Sequence, residues 1–157
     1  MHHKTLVSAF ALVPIIFLTL QAQSESSTKL SRQDRQVVAA IRAVLDAQRD
    51  AWNRGDIKGY MDGYARSPDT VFVSGDRVVR GWQTVFERYK KTYDSREKMG
   101  MLTFAEVEIT VLGKDAALVL GRWHLKRAQD EPHGRFTLLF RKAKQGWKIV
   151  HDHTSSA

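Results

Sequence analysis

The sequence predicts an α+β protein in which a long curved antiparallel sheet carries helices on one face. Three observations predict it. Apolar residues recur at steps of three and four in the first part of the chain, and at steps of two in the last third. Glycine-bearing turn clusters separate the segments of period two. The order is helices first and consecutive strands afterwards, which is the arrangement of segregated α+β folds and not of alternating βαβ units. At 157 residues the chain is one domain's length, and 43% hydrophobic with 27% charged residues is the balance of a chain that buries a core.

The first 24 residues differ from the rest. Lys4 is positive, Leu6–Leu20 is strongly apolar, and Gln21-Ala22-Gln23-Ser24 is small and polar. This is the three-part pattern of a secretory signal, with cleavage expected after Ala22 or Ser24. As a helix the apolar stretch reaches about 22 Å, short of the ~30 Å that a bilayer core needs, and Pro14 weakens it further. The expectation is therefore export to the periplasm or medium with no stable membrane anchor. Residues 25–30 read as a flexible leader, and 31–157 as the domain.

Ser31-x-x-Asp34 has the form of a capping box and opens the first helix. Val37, Val38, Ile41, Val44, Leu45, Ala51 and Trp52 form its apolar face, and Gly55 ends it. Gln48 interrupts that face, either as a half-exposed edge position or as a polar group aimed at a cavity. Asp56 caps a short second helix through Ile57, Tyr60, Met61 and Tyr64, whose glycines at 59 and 63 permit close packing. Thr70–Val73 and Arg77–Arg80 flank Ser74-Gly75-Asp76 as a hairpin. Gly81 opens a third helix with Trp82, Val85, Phe86, Tyr89 and Tyr93 on one side, and charged Asp94–Gly100 reads as a loop. Met101–Leu112, Ala116–Arg127, Arg135–Lys142 and Trp147–Thr154 are then four long strands.

The composition excludes several functions. With no cysteine there is no disulfide, thiolate metal site or cysteine nucleophile. No G-x-S-x-G, P-loop, G-x-G-x-x-G or H-E-x-x-H motif occurs, and no motif calls for a cofactor. The net charge of +8 raises nucleic acid as a partner, but the basic residues are spread along the chain without a dense run or binding motif. A nucleic-acid partner is not expected.

Ala51-Trp52-Asn53-Arg54-Gly55-Asp56 at the close of the first helix, Gly75 and Gly81 at the hairpin, Asp115-Ala116-Ala117 at the second long strand, and Gly146-Trp147-Lys148-Ile149-Val150-His151-Asp152-His153-Thr154-Ser155 at the end occur in a specific order. In that order the chain resembles the nuclear transport factor 2-like (cystatin-like) superfamily. It most resembles the small SnoaL-like and ketosteroid-isomerase-like domains of unknown function, including the SgcJ/EcaC group, and is similar to the association domain of calcium/calmodulin-dependent protein kinase II. The resemblance spans about residues 31–155. It implies a cone-shaped sheet wrapped around the long helix, a cavity open at one end, and a homodimer through the outer sheet face. Leu118, Val119, Leu120 and Leu138, Leu139, Phe140 support the dimer, because they place apolar residues on both faces of neighbouring strands.

Alternation puts His151 and His153 on the face of Trp147 and Ile149, and Asp152 opposite. If that face lines the cavity, two imidazoles enter it as acid–base groups. If a bulge reverses the alternation, Asp152 enters instead. A pocket carboxylate is what the isomerase and cyclase relatives use for proton abstraction. The bland alternative is a hydrogen-bonded strand end. His-x-His could also chelate a metal with His124 as a third ligand, but no sequence spacing guarantees that third position, and no metal is expected. Trp52, Tyr60, Tyr64, Tyr89 and Trp123 are candidate ligand contacts, because Trp and Tyr combine an apolar body with a polar tip. Arg122, on the strand face opposite Trp123, is a candidate for holding a carboxylate or an oxyanion. The first functional reading is an exported domain binding a small, partly apolar molecule. The second is an isomerase, cyclase or dehydratase in which His151, His153 or Asp152 moves a proton. The third is an assembly module without a ligand.

Overall fold

The computed structural model describes residues 30–157. The expected signal peptide and most of the expected leader lie outside them. Helix α1 spans Arg32–Asn53, α2 Ile57–Met61, α3 Trp82–Thr92 and α4 Arg96–Met99. Strands β1 (Val71–Ser74) and β2 (Arg77–Arg80) form the hairpin. β3 (Met101–Val111), β4 (Ala116–Lys126), β5 (His133–Ala143) and β6 (Gly146–Thr154) follow. The six strands make one open sheet in the order β2-β1-β6-β5-β4-β3. All neighbours are antiparallel except β1 and β6, which run parallel.

The capping box at the start of α1 is complete. The Ser31 hydroxyl accepts from the Asp34 amide at 3.0 Å, and the Asp34 carboxylate accepts from the Ser31 amide at 3.3 Å. Val37, Ile41, Leu45, Gln48, Ala51 and Trp52 are the buried face of α1, which lies across the sheet against β3 and β6. Both oxygen and nitrogen of the Asn53 side chain bond the Leu102 backbone, at 2.7 and 3.0 Å. That clamp ties the last turn of α1 to β3. The segment 94–100, expected as a loop, contains α4. Its reason is local: Ser95 caps the Lys98 amide, and Met99 is buried. The Arg96 guanidinium then bonds the carbonyls of Trp52 and Asn53 at the end of α1, at 2.8 and 3.0 Å. The close packing expected at Gly59 and Gly63 is real, since a Cβ at 63 would lie 2.5 Å from the Gln48 side chain.

Two bulges bend the sheet. On β3 the register shifts between Ala105 and Glu108, with Glu106 in the left-handed region at φ 51°. On β6, Leu139 pairs with His151 and Phe140 with Ile149, so Val150 has no partner. This second bulge falls where the segment after α2 docks on the sheet. The Ile149 amide donates to Gly63 at 2.9 Å, and the Ile149 carbonyl accepts from Ala65 at 2.8 Å.

Candidate functional site

Residues paired across neighbouring strands share a face, so the two sides of the sheet follow from the register. Leu102, Phe104, Trp123, Leu125, Phe136, Leu138, Ile149, Asp152 and Phe72 point inward. With Gln48 and Trp52 of α1, Tyr60 of α2, Tyr64 just beyond it, and Arg88, Tyr89 and Tyr93 on and beside α3, they enclose a cavity of about 130 Å³. Rings dominate its wall. Trp52 meets Tyr60 and Tyr93 edge-on at 5.1 and 4.7 Å between centroids, and Tyr60 meets Tyr89 at 5.3 Å.

The polar end of the cavity is Asp152. Its alternation with Trp147 and Ile149 is reversed by the bulge at Val150, so all three point inward. Of the two readings of the last strand, the structure therefore takes the one with the carboxylate inside. His151 and His153 fall on the outer face with Leu139 and Thr137, where His153 is exposed. Neither histidine lines the cavity. The reason is that a single unpaired residue inverts every later side chain on the strand.

Asp152 is 4% exposed, and its Oδ2 accepts from the Tyr64 hydroxyl at 2.6 Å. Its Oδ1 is buried and has no hydrogen-bond partner among the described residues. No described cation pairs with this carboxyl. Burial therefore pushes its pKa from 3.8 up to about 7, against the opposing pull of the Tyr64 hydrogen bond. Tyr60, Tyr64 and Tyr89 are all raised, first by burial and then by the neighbouring acids of the same cluster. These phenols are neutral donors at physiological pH. The arrangement offers a ligand a carboxyl group able to give or take a proton near neutrality, next to a hydroxyl, in an apolar chamber.

Trp52, Tyr60, Tyr64, Tyr89 and Trp123 all reach the cavity wall. Arg122 does not. It lies on the outer sheet face, paired with Glu106 at 3.2 Å, and Arg135 meets the same carboxylate at 2.8 Å. Face alternation carries it outward because Trp123 points in. Among the described residues no three His, Asp or Glu side chains gather as metal ligands. His124 sits two strands from β6, beside Glu131 at 3.2 Å.

The sequence reading missed Arg88, Phe72 and the hydroxyls of Ser74, Thr92 and Thr154, which also line the cavity. The signal was present for Arg88. Val85, Arg88, Tyr89 and Thr92 stand at i, i+3, i+4 and i+7 of α3. Of its two readings, Gln48 takes that of a polar group at the cavity: it is buried, its amide nitrogen donates to the Tyr60 carbonyl at 3.0 Å, and the side chain lines the cavity.

A curved open sheet closed over a long helix, with an aromatic chamber between them, defines a nuclear transport factor 2-like protein. The chain belongs to the SnoaL-like domain family, whose model matches residues 41–157. Among solved structures it is similar to an NTF2-like protein of unknown function from Shewanella oneidensis, at 41% identity and TM-score 0.73 over 75% of this chain and 98% of that one. It shares its fold with an NTF2-like superfamily protein from Salmonella enterica, at 24% identity and TM-score 0.63 over 77% and 91% of the two chains. It also shares it with a ketosteroid isomerase-like protein from Erwinia carotovora, at 22% identity and TM-score 0.60 over 75% and 94%. A search of curated proteins returns no match.

Proposed function

We propose that this chain is an exported small-molecule-binding domain. Its cavity takes a compact, partly apolar ligand that ends on Asp152 and Tyr64. The observation that carries this reading is the Oδ1 of Asp152, a buried oxygen without a partner among the described residues, on the wall of a cavity rich in aromatic rings. Such a group costs free energy unless something bonds it, and a ligand's polar end is suited to do so. Native mass spectrometry of protein purified from the periplasm, followed by denaturing extraction, tests the reading. A defined extra mass that D152N retains poorly is the expected result. Protein that carries nothing, and whose tryptophan emission is unmoved by any small aromatic compound, defeats it. Intact mass of the same sample reads whether the chain begins after Ala22 or Ser24.

A second reading is favoured by one observation: a cavity carboxyl whose pKa lies near 7 and whose neighbour is a phenol. Asp152 would abstract a proton beside a carbonyl while the Tyr60 hydroxyl steadies the oxyanion, the Tyr64 proton being held by Asp152. The ketosteroid isomerase-like neighbour is consistent with that chemistry. Hydrogen–deuterium exchange of a bound cyclic ketone, abolished by D152N, is its test; an unchanged exchange rate in D152N rejects it.

The outer face carries Leu118 and Leu120, each 38% exposed, in register with Leu139 and Thr137 on β5. This apolar patch is the proposed homodimer surface. L118E is expected to shift the chain to a monomer in light scattering, and an unchanged mass would reject the surface.

A further inference from the structure

We propose that Arg88 is an anion anchor at the cavity mouth, and that the ligand is a single-ring organic carboxylate. This rests on the cavity being a ligand site. The first support is that Arg88 is unspent. Among the described residues it forms no side-chain ion pair or hydrogen bond, and of the four such arginines (Arg32, Arg77, Arg80 and Arg88) it is the one that lines the cavity, whereas Arg49, Arg66, Arg122, Arg135 and Arg141 each hold a carboxylate. The carboxylate next to it in the chain is already used: Glu87 accepts from Lys90 at 3.3 Å and from Gln83 at 2.9 Å.

The second support is position. The Arg88 guanidinium lies over the Phe72 ring, 4.9 Å from its centroid. Phe72 is the strand neighbour of Asp152. The cation and the carboxyl therefore adjoin the same aromatic residue, on the wall of one cavity. Outside it, Arg88 shares a second groove with Arg77 and Lys91, in which Glu87 is the single acid. That groove, which shares Arg88 and Thr92 with the cavity, is net positive and favours an anion beside Arg88.

The third support is size and polarity. A chamber of about 130 Å³ is comparable to the roughly 150 Å³ apolar cavity that accepts benzene, so its enclosed part holds one ring. A carboxylate placed at the buried end of the chamber beside Asp152 would lose its hydration with no described cation there to offset the loss. At the mouth, a guanidinium fork matches two carboxylate oxygens, and the hydroxyls of Ser74 and Thr92 are near at hand. The ligand's anion thus faces Arg88, its ring lies between, and an uncharged polar end faces Asp152.

The test is a titration of the whole domain, read by tryptophan emission, with three probes: phenylacetate, phenylacetamide and toluene. Trp52 and Trp123 in the wall report occupancy. Phenylacetate is expected to bind at least about tenfold more tightly than the amide, the scale of a charge-assisted hydrogen bond. R88Q is expected to erase that preference, and R88K to restore part of it. Equal binding of the acid and the amide by the wild-type protein, or a preference that survives in R88Q, overturns the anion anchor and leaves the cavity reading standing. Silence with all three probes overturns both. Retained melting temperature confirms that the Arg88 variants are folded.

Discussion

Asp152→Asn is expected to stabilise the folded chain, and to do so more as the pH rises. In the fold the Asp152 carboxyl holds its proton up to about pH 7, whereas an unperturbed carboxyl releases it near 3.8. Between those values the folded state binds the proton and the unfolded state does not. Stability therefore falls as pH climbs from about 4 to about 7, and levels off above. Each tenfold in proton affinity is worth about 1.4 kcal/mol. The ceiling on the loss at pH 8 is thus about 4 kcal/mol, set by burial and reduced by whatever relaxation the site allows. Asparagine keeps the shape and an oxygen for the Tyr64 hydroxyl but never ionises. Urea unfolding of both proteins at fixed concentration, from pH 4.5 to 8, isolates the difference. It should grow through that window and then flatten. A difference independent of pH, or one that grows toward acid, would refute the claim that this carboxyl is buried without a compensating cation.

Other perturbations read other parts of the same argument. Tyr64→Phe removes the one donor to Asp152, so the carboxyl's pKa should move further up, as carbon-detected NMR would show, with a loss of about 1–2 kcal/mol. Asn53→Ala breaks both bonds of the clamp on Leu102, and thermal melting should report a loss of about 1–3 kcal/mol. Gly134→Ala would set a Cβ 1.9 Å from the Ser155 carbonyl oxygen, which accepts from the Trp123 indole at 3.0 Å. The tail after β6 must then shift, and the Trp123 indole resonance should move sharply while those of Trp82 and Trp147 stay in place.

The elements were largely legible because their signals are local. The capping box at Ser31, the period of α1, the hairpin around Gly75 and the alternation of β3 to β5 each depend on residues within a few positions of one another. The exception among the elements is α4. Its charged sequence reads as loop, and its helical turn is held by Ser95, by burial of Met99 and by Arg96 reaching back to the end of α1. Only the last two of those are tertiary contacts.

The candidate site divides along the same line. The aromatic wall at Trp52, Tyr60, Tyr64, Tyr89 and Trp123 follows from periodicity, since an apolar face must turn toward whatever the sheet encloses. The sequence could also state that Asp152 and its flanking histidines lie on opposite faces. It could not state which face is inside, because that turns on Val150, and Val150 loses its partner only where Gly63 and Ala65 dock on β6. Arg122 and Arg88 show the same division. Both are arginines beside an aromatic residue, yet Glu106 engages one on the outer face while the other stands over Phe72 at the cavity. Periodicity is a property of neighbours in the chain and can be read along it. Register, bulges and the partner of a charge belong to segments far apart in sequence, and are decided only when those segments meet.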